Sequence, residues 1–141
     1  MSDGSRIKSI TALQAWSWRG HPALEARVTT ENGALGVAQV QAGTSVGQHE
    51  VQFIHDGGPR WGGLGVQKAV AMVKETIAPA LIGMDATRQR EIDYRMLEMD
   101  GTPNKAKLGG NCIGAVSAAV LKAGAASVRL PLYQYIGGPN A

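Results

Sequence analysis

The sequence predicts an α+β fold in which a three-stranded antiparallel meander precedes about four helices. Residues 7–40 show strand-like alternation interrupted by turn residues, whereas apolar residues after position 65 recur at helical spacing. Strands followed by helices are typical of α+β proteins rather than of doubly wound sheets. The length of 141 residues is that of one ordinary domain, so we expect residues 1–141 to share one core.

Each strand of the meander has its own signal. Residues 7–18 are rich in Ile, Thr, Leu and Trp, which favours a first strand, and Gly-His-Pro at 20–22 marks a turn. Residues 23–29 alternate cleanly, as expected of a half-buried antiparallel strand. Asn-Gly at 32–33 is a strong hairpin signal and predicts a return strand over residues 34–40. The alternation places three apolar side chains on one face, namely Leu24, Ala26 and Val28.

Three longer helices are predicted in the second half of the chain. The first begins at Val66 and is expected to end near Pro79. Asp85 is the expected N-cap of the second, which runs to about Met99. The third covers residues 111–127 and is dense in Ala and Gly, so another element can approach it closely.

The sequence signals for the ends of the second and third helices are weaker. Asp-Gly-Thr-Pro at 100–103 is expected to stop the second helix. Residues 131–136 are expected to form a short closing turn.

Composition excludes several classes of function. A net charge of +3 without a basic run does not favour binding to nucleic acid or to a membrane surface. The N-terminus lacks the apolar region of a signal peptide, and no stretch of about 18 apolar residues is present. The one cysteine, Cys112, excludes an internal disulfide and a cage of thiolates around a metal. A lone thiol fits a reducing cytosol, so we expect a cytoplasmic protein.

Between residues 41 and 65 the periodicity is lost, and long irregular connections of this kind are often functional. One interpretation makes the polar residues here ordinary solvated loop residues. The other is a mobile loop, flanked by Gly43 and Gly47, that carries Ser45 and His49 onto a ligand. Ser45 has no assignable His or Asp partner for nucleophilic catalysis, but its oxygen suits Mg²⁺.

Several collinear segments match a known family. Residues 99–113 read M-D-G-T-P-N-K-A-K-L-G-G-N-C-I, which is similar to the signature L-D-G-T-x-N-K-S-K-L-G-A-N-A-I of the N-terminal domain of enolase (phosphopyruvate hydratase). We refer to residues 99–113 as the signature segment. The chain resembles this domain from Ile7 to Ala141, with further matches at residues 19–22, 63–66, 76–83 and 130–133.

The resemblance implies both a fold and a reaction. The fold is the same meander followed by helices, and the reaction is the reversible dehydration of 2-phosphoglycerate to phosphoenolpyruvate in glycolysis, with two Mg²⁺. In the family, a lysine base and the metal-binding carboxylates lie on a C-terminal barrel, which would begin after residues 137–141. We therefore expect the barrel to be a partner outside this sequence, the isolated chain to be inactive, and the full-length form to be a homo-oligomer.

The resemblance also implies a lid. In the family, the loop P-S-G-A-S-T-G-x-H-E closes over the site, and its second serine ligates the second Mg²⁺. The matching residues 41–50, here called the lid loop, read Q-A-G-T-S-V-G-Q-H-E, so Ser45 matches the metal-ligating serine. Arg19 matches an arginine near the subunit interface. The lid-loop candidates implied in this way are Gly43, Thr44, Ser45, Val46, Gly47, His49 and Glu50.

Departures from the family pattern leave other functions open. Four lid-loop positions differ from the family, at Gln41, Ala42, Thr44 and Val46, and Trp18 replaces a serine and adds an apolar surface. The alternative is therefore a non-catalytic enolase-like module for binding or assembly. A cap from another member of the broader superfamily, acting on a different carboxylate, is a third option that the D-G-T-P-N-K match disfavours.

Overall fold

The sheet is a meander of three antiparallel strands in the order β1-β2-β3. The computed structural model describes residues 3–43 and 45–140. In it, β1 spans Ile7–Trp16, β2 spans Pro22–Thr30 and β3 spans Leu35–Gln41. In the register of the sheet, Ile10 lies opposite Val28, and Ala26 lies opposite Ala38. The predicted meander is confirmed, with β1 ending two residues earlier than expected.

Alternation along β2 separates a core face from an outer face, as the sequence predicts. Leu24, Ala26 and Val28 are fully buried, while Arg27 between them is exposed. The turn after β2 contains the predicted Asn-Gly pair, with Gly33 at a φ of 82°, a left-handed conformation that glycine adopts without strain. The Asn32 side chain accepts a hydrogen bond from the Thr30 hydroxyl at 2.7 Å, which ties the turn to the end of the strand.

Helices cover the core face of this sheet. The first helical stretch consists of α1 (Gln67–Met72), a π-helical turn (Val73–Ile77) and α2 (Ala78–Leu81), one directly after another. It is followed by α3 (Gln89–Asp100), α4 (Gly110–Ser127) and α5 (Leu132–Gly137). Helix α4 packs across β2 and β3, and the first stretch packs against β1. Within the described residues, no helix is long and apolar enough to cross a membrane.

The first helical stretch ends at Leu81, two residues after the predicted end near Pro79. Proline inside an α-helix lacks an amide donor and collides with the carbonyl four residues earlier. Here the π-helical turn precedes it, and the Ala78 amide donates to the Val73 carbonyl, five residues back. The wider turn relieves the proline constraint, so the chain continues without a break.

Asp85 is not the N-cap of α3, which begins at Gln89 after Arg88. The residues around Asp85 pair instead with the start of β1, through hydrogen bonds such as Ile7 N–H to Met84 C=O at 2.8 Å. Asp85 is thus held in a bridge to Arg6 and followed by a turn, and α3 begins only after that turn. Burial alone would raise the pKa of Asp85, but hydrogen bonds from the Thr87 amide and hydroxyl hold it below its usual value.

Helix α3 ends where the sequence predicts, at a left-handed Gly101 with a φ of 66°. The preceding Asp100 is buried, and its carboxylate accepts hydrogen bonds from the Thr102 amide at 2.9 Å, the Thr102 hydroxyl, and the Leu108 amide at 2.7 Å. Burial raises the pKa of Asp100, but these donors outweigh it and the net pKa is lowered. The ionised carboxylate therefore organises residues 100–108.

Small residues allow α4 to lie directly on the sheet. A Cβ placed on Gly36 of β3 would lie 2.0 Å from the carbonyl oxygen of Ala119, which is backbone and cannot move aside. Gly114 of α4 differs, because a Cβ there would meet Val40 at 3.7 Å, an ordinary contact. Close approach at Gly36 is therefore a requirement of the fold.

We expect Gly36→Ala to lower the free energy of unfolding by about 1–3 kcal/mol or more, because the methyl group forces β3 and α4 apart. Gly114→Ala is the matched control and should be neutral or stabilising by about 0.5–1 kcal/mol, since alanine favours a helix interior. Urea unfolding of the two variants measures both changes. Equal destabilisation by the two substitutions would contradict the close-packing argument.

We expect Asp100→Asn to destabilise the chain by about 1–3 kcal/mol at pH 7, because an amide NH₂ then faces a backbone N–H. The lowered pKa means that Asp100 stabilises the fold fully above its unfolded value near 4, and that this contribution is lost as pH falls through the folded pKa. Urea unfolding at pH 7 and pH 3 should therefore show a smaller loss on acidification in the variant. Glu98→Gln, at an exposed position of α3, is the control and should have little effect.

Candidate functional site

The lid loop joins the end of β3 to an extended segment at residues 51–56, here called the stem segment. In the described part of the loop, the backbone makes one turn hydrogen bond, from the Glu50 amide to the Gly47 carbonyl at 3.2 Å. Neither Gly43 nor Gly47 has a positive φ, so left-handed backbone is not what these two positions require. At residues 42–43 and 45–50, no other backbone hydrogen bond is found outside β3.

The predicted lid-loop residues are solvent-exposed wherever the structure describes them. Val46 is the extreme case, with 78% of its surface accessible. Thr44 lies outside the described residues. The exposed set is Gly43, Ser45, Val46, Gly47, His49 and Glu50.

The stem segment is pinned to the signature segment by backbone hydrogen bonds. The Gln52 amide donates to the Asn104 carbonyl at 2.8 Å, and the Gly110 amide donates to the Gln52 carbonyl at 2.7 Å. Two residues further on, the carboxamide of Asn111 pairs with both backbone groups of Ile54, each at 3.0 Å. The signature segment, which is loop and helix, therefore supplies the hydrogen-bond partners for the backbone of this part of the chain.

Two glycines of the signature segment make room for the stem segment. A Cβ on Gly110 would lie 2.3 Å from the side chain of Val51, and a Cβ on Gly109 would lie 2.8 Å from Ile54. Gly109 also has a φ of 88°, a conformation that favours glycine. The Gly-Gly-Asn sequence at 109–111 is thus explained by the backbone that passes over it.

Asp56 fixes the far end of the stem segment. Its two carboxylate oxygens accept hydrogen bonds from the backbone amides of Gln67 at 3.0 Å and Lys68 at 2.8 Å. These amides belong to the first turn of α1, whose donors have no partner within the helix. The Asp56 carbonyl also accepts a hydrogen bond from the ammonium group of Lys68 at 3.0 Å. The lid loop therefore lies between two anchored regions, β3 before it and the stem segment after it.

A pocket of about 240 Å³ lies between the lid loop and the stem segment. Its walls include Val46 and Glu50 from the loop, with Phe53 and His55 from the stem segment. The Nδ1 atom of His55 is buried without a hydrogen-bond partner. The pocket therefore separates part of the lid loop from the stem segment.

The described residues offer little for holding a metal ion by themselves. Within residues 3–43 and 45–140 there is no group of three or more His, Cys, Asp or Glu side chains placed to bind one. Mg²⁺ takes six oxygen ligands in near-octahedral geometry. Ser45 is exposed on the lid loop, and its predicted role as a ligand to Mg²⁺ stays a prediction.

Arg19 lies in the exposed turn between β1 and β2. The Ser17 hydroxyl accepts hydrogen bonds from the amides of Arg19 at 3.3 Å and His21 at 3.2 Å, which shapes this turn. The Arg19 guanidinium lies 4.6 Å from the ring centre of Trp18, a cation–π geometry. The predicted role of Arg19 near a subunit interface remains a prediction.

Cys112 is buried in α4, and its thiol faces the Ala69 carbonyl at 3.6 Å. Burial raises the pKa of this thiol to about 12, so it stays protonated and unreactive near neutral pH. It serves as a small apolar residue of the core.

Sequence reasoning missed Asn111 and Asp56 as the residues that hold the stem segment. Asn111 and Ile54 are 57 positions apart, and no local pattern connects them. The available signal was a polar residue in the first turn of an otherwise Ala- and Gly-rich helix, where a side chain without a partner would be costly.

The geometry agrees with a comparison against known protein families. The sequence model of one family, described as the enolase N-terminal domain, matches residues 7–136 of this chain. The matched range includes the three strands, helices α1 to α4 and the signature segment. The α+β fold expected from the resemblance, with three strands followed by about four helices, is confirmed. In this family, the domain accompanies a C-terminal catalytic domain. The chain therefore belongs to the enolase N-terminal domain family and is the capping domain of an enolase-type protein.

Proposed function

We propose that this chain is the lid-bearing domain of an enolase-type lyase, which interconverts 2-phosphoglycerate and phosphoenolpyruvate. Ser45 donates one oxygen to the second Mg²⁺ when the lid loop closes over the partner barrel. The observation that carries the proposal is the position of Ser45, exposed on a loop that is anchored at both ends and little bonded between them.

The anchoring pattern supports a lid. Elements that move in catalysis have few buried contacts and exposed backbone, and the described part of the lid loop has both properties. Its anchors do not share them, since β3 is paired with β2 and the stem segment is paired with the signature segment. Such a loop changes position without disturbing the core, and closing it excludes water from a site.

In this proposal, the groups of the active site come from two segments, the barrel and this chain. The barrel supplies the base and the carboxylates, and its bound Mg²⁺ ions stabilise the charge that develops on the substrate carboxylate. This chain contributes the Ser45 oxygen and the cover over the site. We further propose a cytoplasmic, homo-oligomeric full-length protein, with Arg19 near the subunit interface.

We expect Ser45→Ala, in the protein that includes its C-terminal catalytic domain, to raise the Mg²⁺ concentration needed for half-maximal activity. Loss of one oxygen ligand to a cation should cost on the order of 10–100-fold in this concentration and lower turnover as well. Steady-state rates against MgCl₂ measure the change. Ser9→Ala, in β1, is the control and should leave the Mg²⁺ dependence unaltered. Similar effects at both positions would remove Ser45 from the site.

A second candidate function is a non-catalytic module for binding or assembly. Trp18 favours it, because 79% of its surface is exposed and Arg19 stacks against it. Exposed tryptophan and arginine are the residues most enriched at the energetic centres of protein interfaces.

In this alternative, Trp18→Ser should shift a self-associating chain toward monomer by at least tenfold in dissociation constant, because a large apolar contact is removed. Light scattering over a range of concentrations measures the change. Tyr133→Ser, another exposed aromatic position, is the control and should have no effect. A wild-type chain that stays monomeric throughout would argue against assembly through this surface.

A further inference from the structure

We propose that Asn111 is a positioning residue for the lid loop, because its carboxamide fixes the backbone from which the loop departs. The inference rests on the proposed lid function, but its central claim concerns this chain alone. Asn111 touches neither substrate nor metal in this account. It acts through Ile54, which lies four residues after the last residue of the lid loop.

The contact has the geometry of a strand pairing made by a side chain. Asn111 Oδ1 accepts the Ile54 amide and Nδ2 donates to the Ile54 carbonyl, each at 3.0 Å. Asn111 is only 1% exposed, so its side chain lies away from solvent, and truncation of that side chain removes both bonds to Ile54. Ile54 would then have a donor and an acceptor without partners in a half-buried position, which favours release of the stem segment.

The pairing needs an amide side chain in particular. It uses one donor and one acceptor at the same time, and asparagine presents both from a planar group. An aspartate carboxylate of the same size has acceptors only, so one of its oxygens would face the Ile54 carbonyl. The size of the side chain alone therefore does not explain why position 111 is asparagine. A test must separate the loss of hydrogen bonds from a change in side-chain size.

Releasing Ile54 changes the reach of the lid loop. Between the end of β3 and Gln52, the described residues 42–43 and 45–51 make no backbone hydrogen bond to the rest of the fold. Loss of the Ile54 bonds leaves the two backbone hydrogen bonds of Gln52 as the remaining described pin of the stem segment before Asp56. When these two bonds also open, the next anchor is Asp56 and the free segment extends to residue 55. A longer free segment spreads Ser45 over a larger volume and lowers its effective concentration at any one closed position.

The primary test measures local opening in the full 141-residue chain. Hydrogen exchange reports the Ile54 amide, whose acceptor is the Asn111 side chain. Cleavage by a glutamate-specific protease reports the Glu50–Val51 bond, with Glu31 in the β2–β3 turn as an internal reference. The variants are Asn111→Ala and the isosteric Asn111→Asp.

Asn104→Ala is the matched control. Asn104 is also an asparagine of the signature segment, but it pins Gln52 through its backbone carbonyl while the residue itself is exposed. This variant should keep wild-type exchange at Ile54 and wild-type cleavage after Glu50.

We expect both Asn111 variants to accelerate exchange at Ile54 and cleavage after Glu50 by tenfold or more, with exchange of the Val28 amide in β2 much less affected. Unchanged protection of Ile54 in either variant would overturn the proposal. Full protection in Asn111→Asp with loss in Asn111→Ala would assign the residue a packing role and overturn it too. If neither variant folds, hydrogen exchange of the wild-type chain decides. The Ile54 amide must then exchange at least tenfold more slowly than the amides of Ser45 to Gln48. Equal exchange rates overturn the proposal.

A second measurement links the anchor to the proposed function. In the protein with its catalytic domain, Asn111→Ala should raise the Mg²⁺ concentration for half-maximal activity and the KM several-fold, while kcat at saturation changes less. A purely structural defect would lower the active fraction and hence kcat, with KM unchanged, and that outcome overturns the positioning role. If Asn111→Ala frees the stem segment but Ser45→Ala has no effect on Mg²⁺, the anchor stands and the proposed function fails.

Discussion

The hydrogen bonds of the Asp100 carboxylate are the interactions on which the positions of the stem segment and the lid loop depend. It ends α3 and gathers the backbone amides of Thr102 and Leu108, which bends residues 100–108 into a fixed loop. That loop presents the Asn104 carbonyl, and α4 follows it with the Gly110 amide and the Asn111 side chain. A buried ionised group thus sets the shape of the surface that holds the stem segment, and the stem segment in turn holds the lid loop.

The core beneath this surface is built from small aliphatic side chains. Only 5% of the residues are aromatic, and the buried positions of α4 are mainly alanine and valine. Small side chains allow α4 to approach β3 closely enough that Gly36 has no room for a methyl group. A helix seated this closely on a sheet gives the start of α4 a defined position, so Asn111 is placed by the core as well as by its own hydrogen bonds.

Much of the fold could be predicted from local pattern, because the strands and helices bury one face each. The alternation around Leu24, Ala26 and Val28, the Asn-Gly turn, and the stop at Gly101 are all local signals that the structure bears out. At Asp85 a contact outside the local sequence changed the outcome, because residues 84–86 pair with Ser5 to Ile7 and α3 starts only at Gln89. At Pro79 the π-helical turn just before it lets the helix continue for two more residues.

The candidate site was less predictable than the fold. Position in the family motif picked out Ser45, and no pattern in the neighbouring sequence independently marks it as a metal ligand. The hydrogen bonds between the stem segment and the signature segment join residues more than 50 positions apart, and a single sequence holds no record of such pairs.

The separation between the lid loop and its anchors has an evolutionary consequence. In the described part of the loop, the hydrogen bonds that tie it to the fold are made by residues before or after it, so replacement of its exposed side chains carries little penalty for folding. Gln41 aside, the described positions where this loop departs from its family, Ala42 and Val46, lie in such a permissive stretch. Substitutions there are constrained by what the loop contacts rather than by foldability, so this stretch can change its chemistry while the scaffold stays the same.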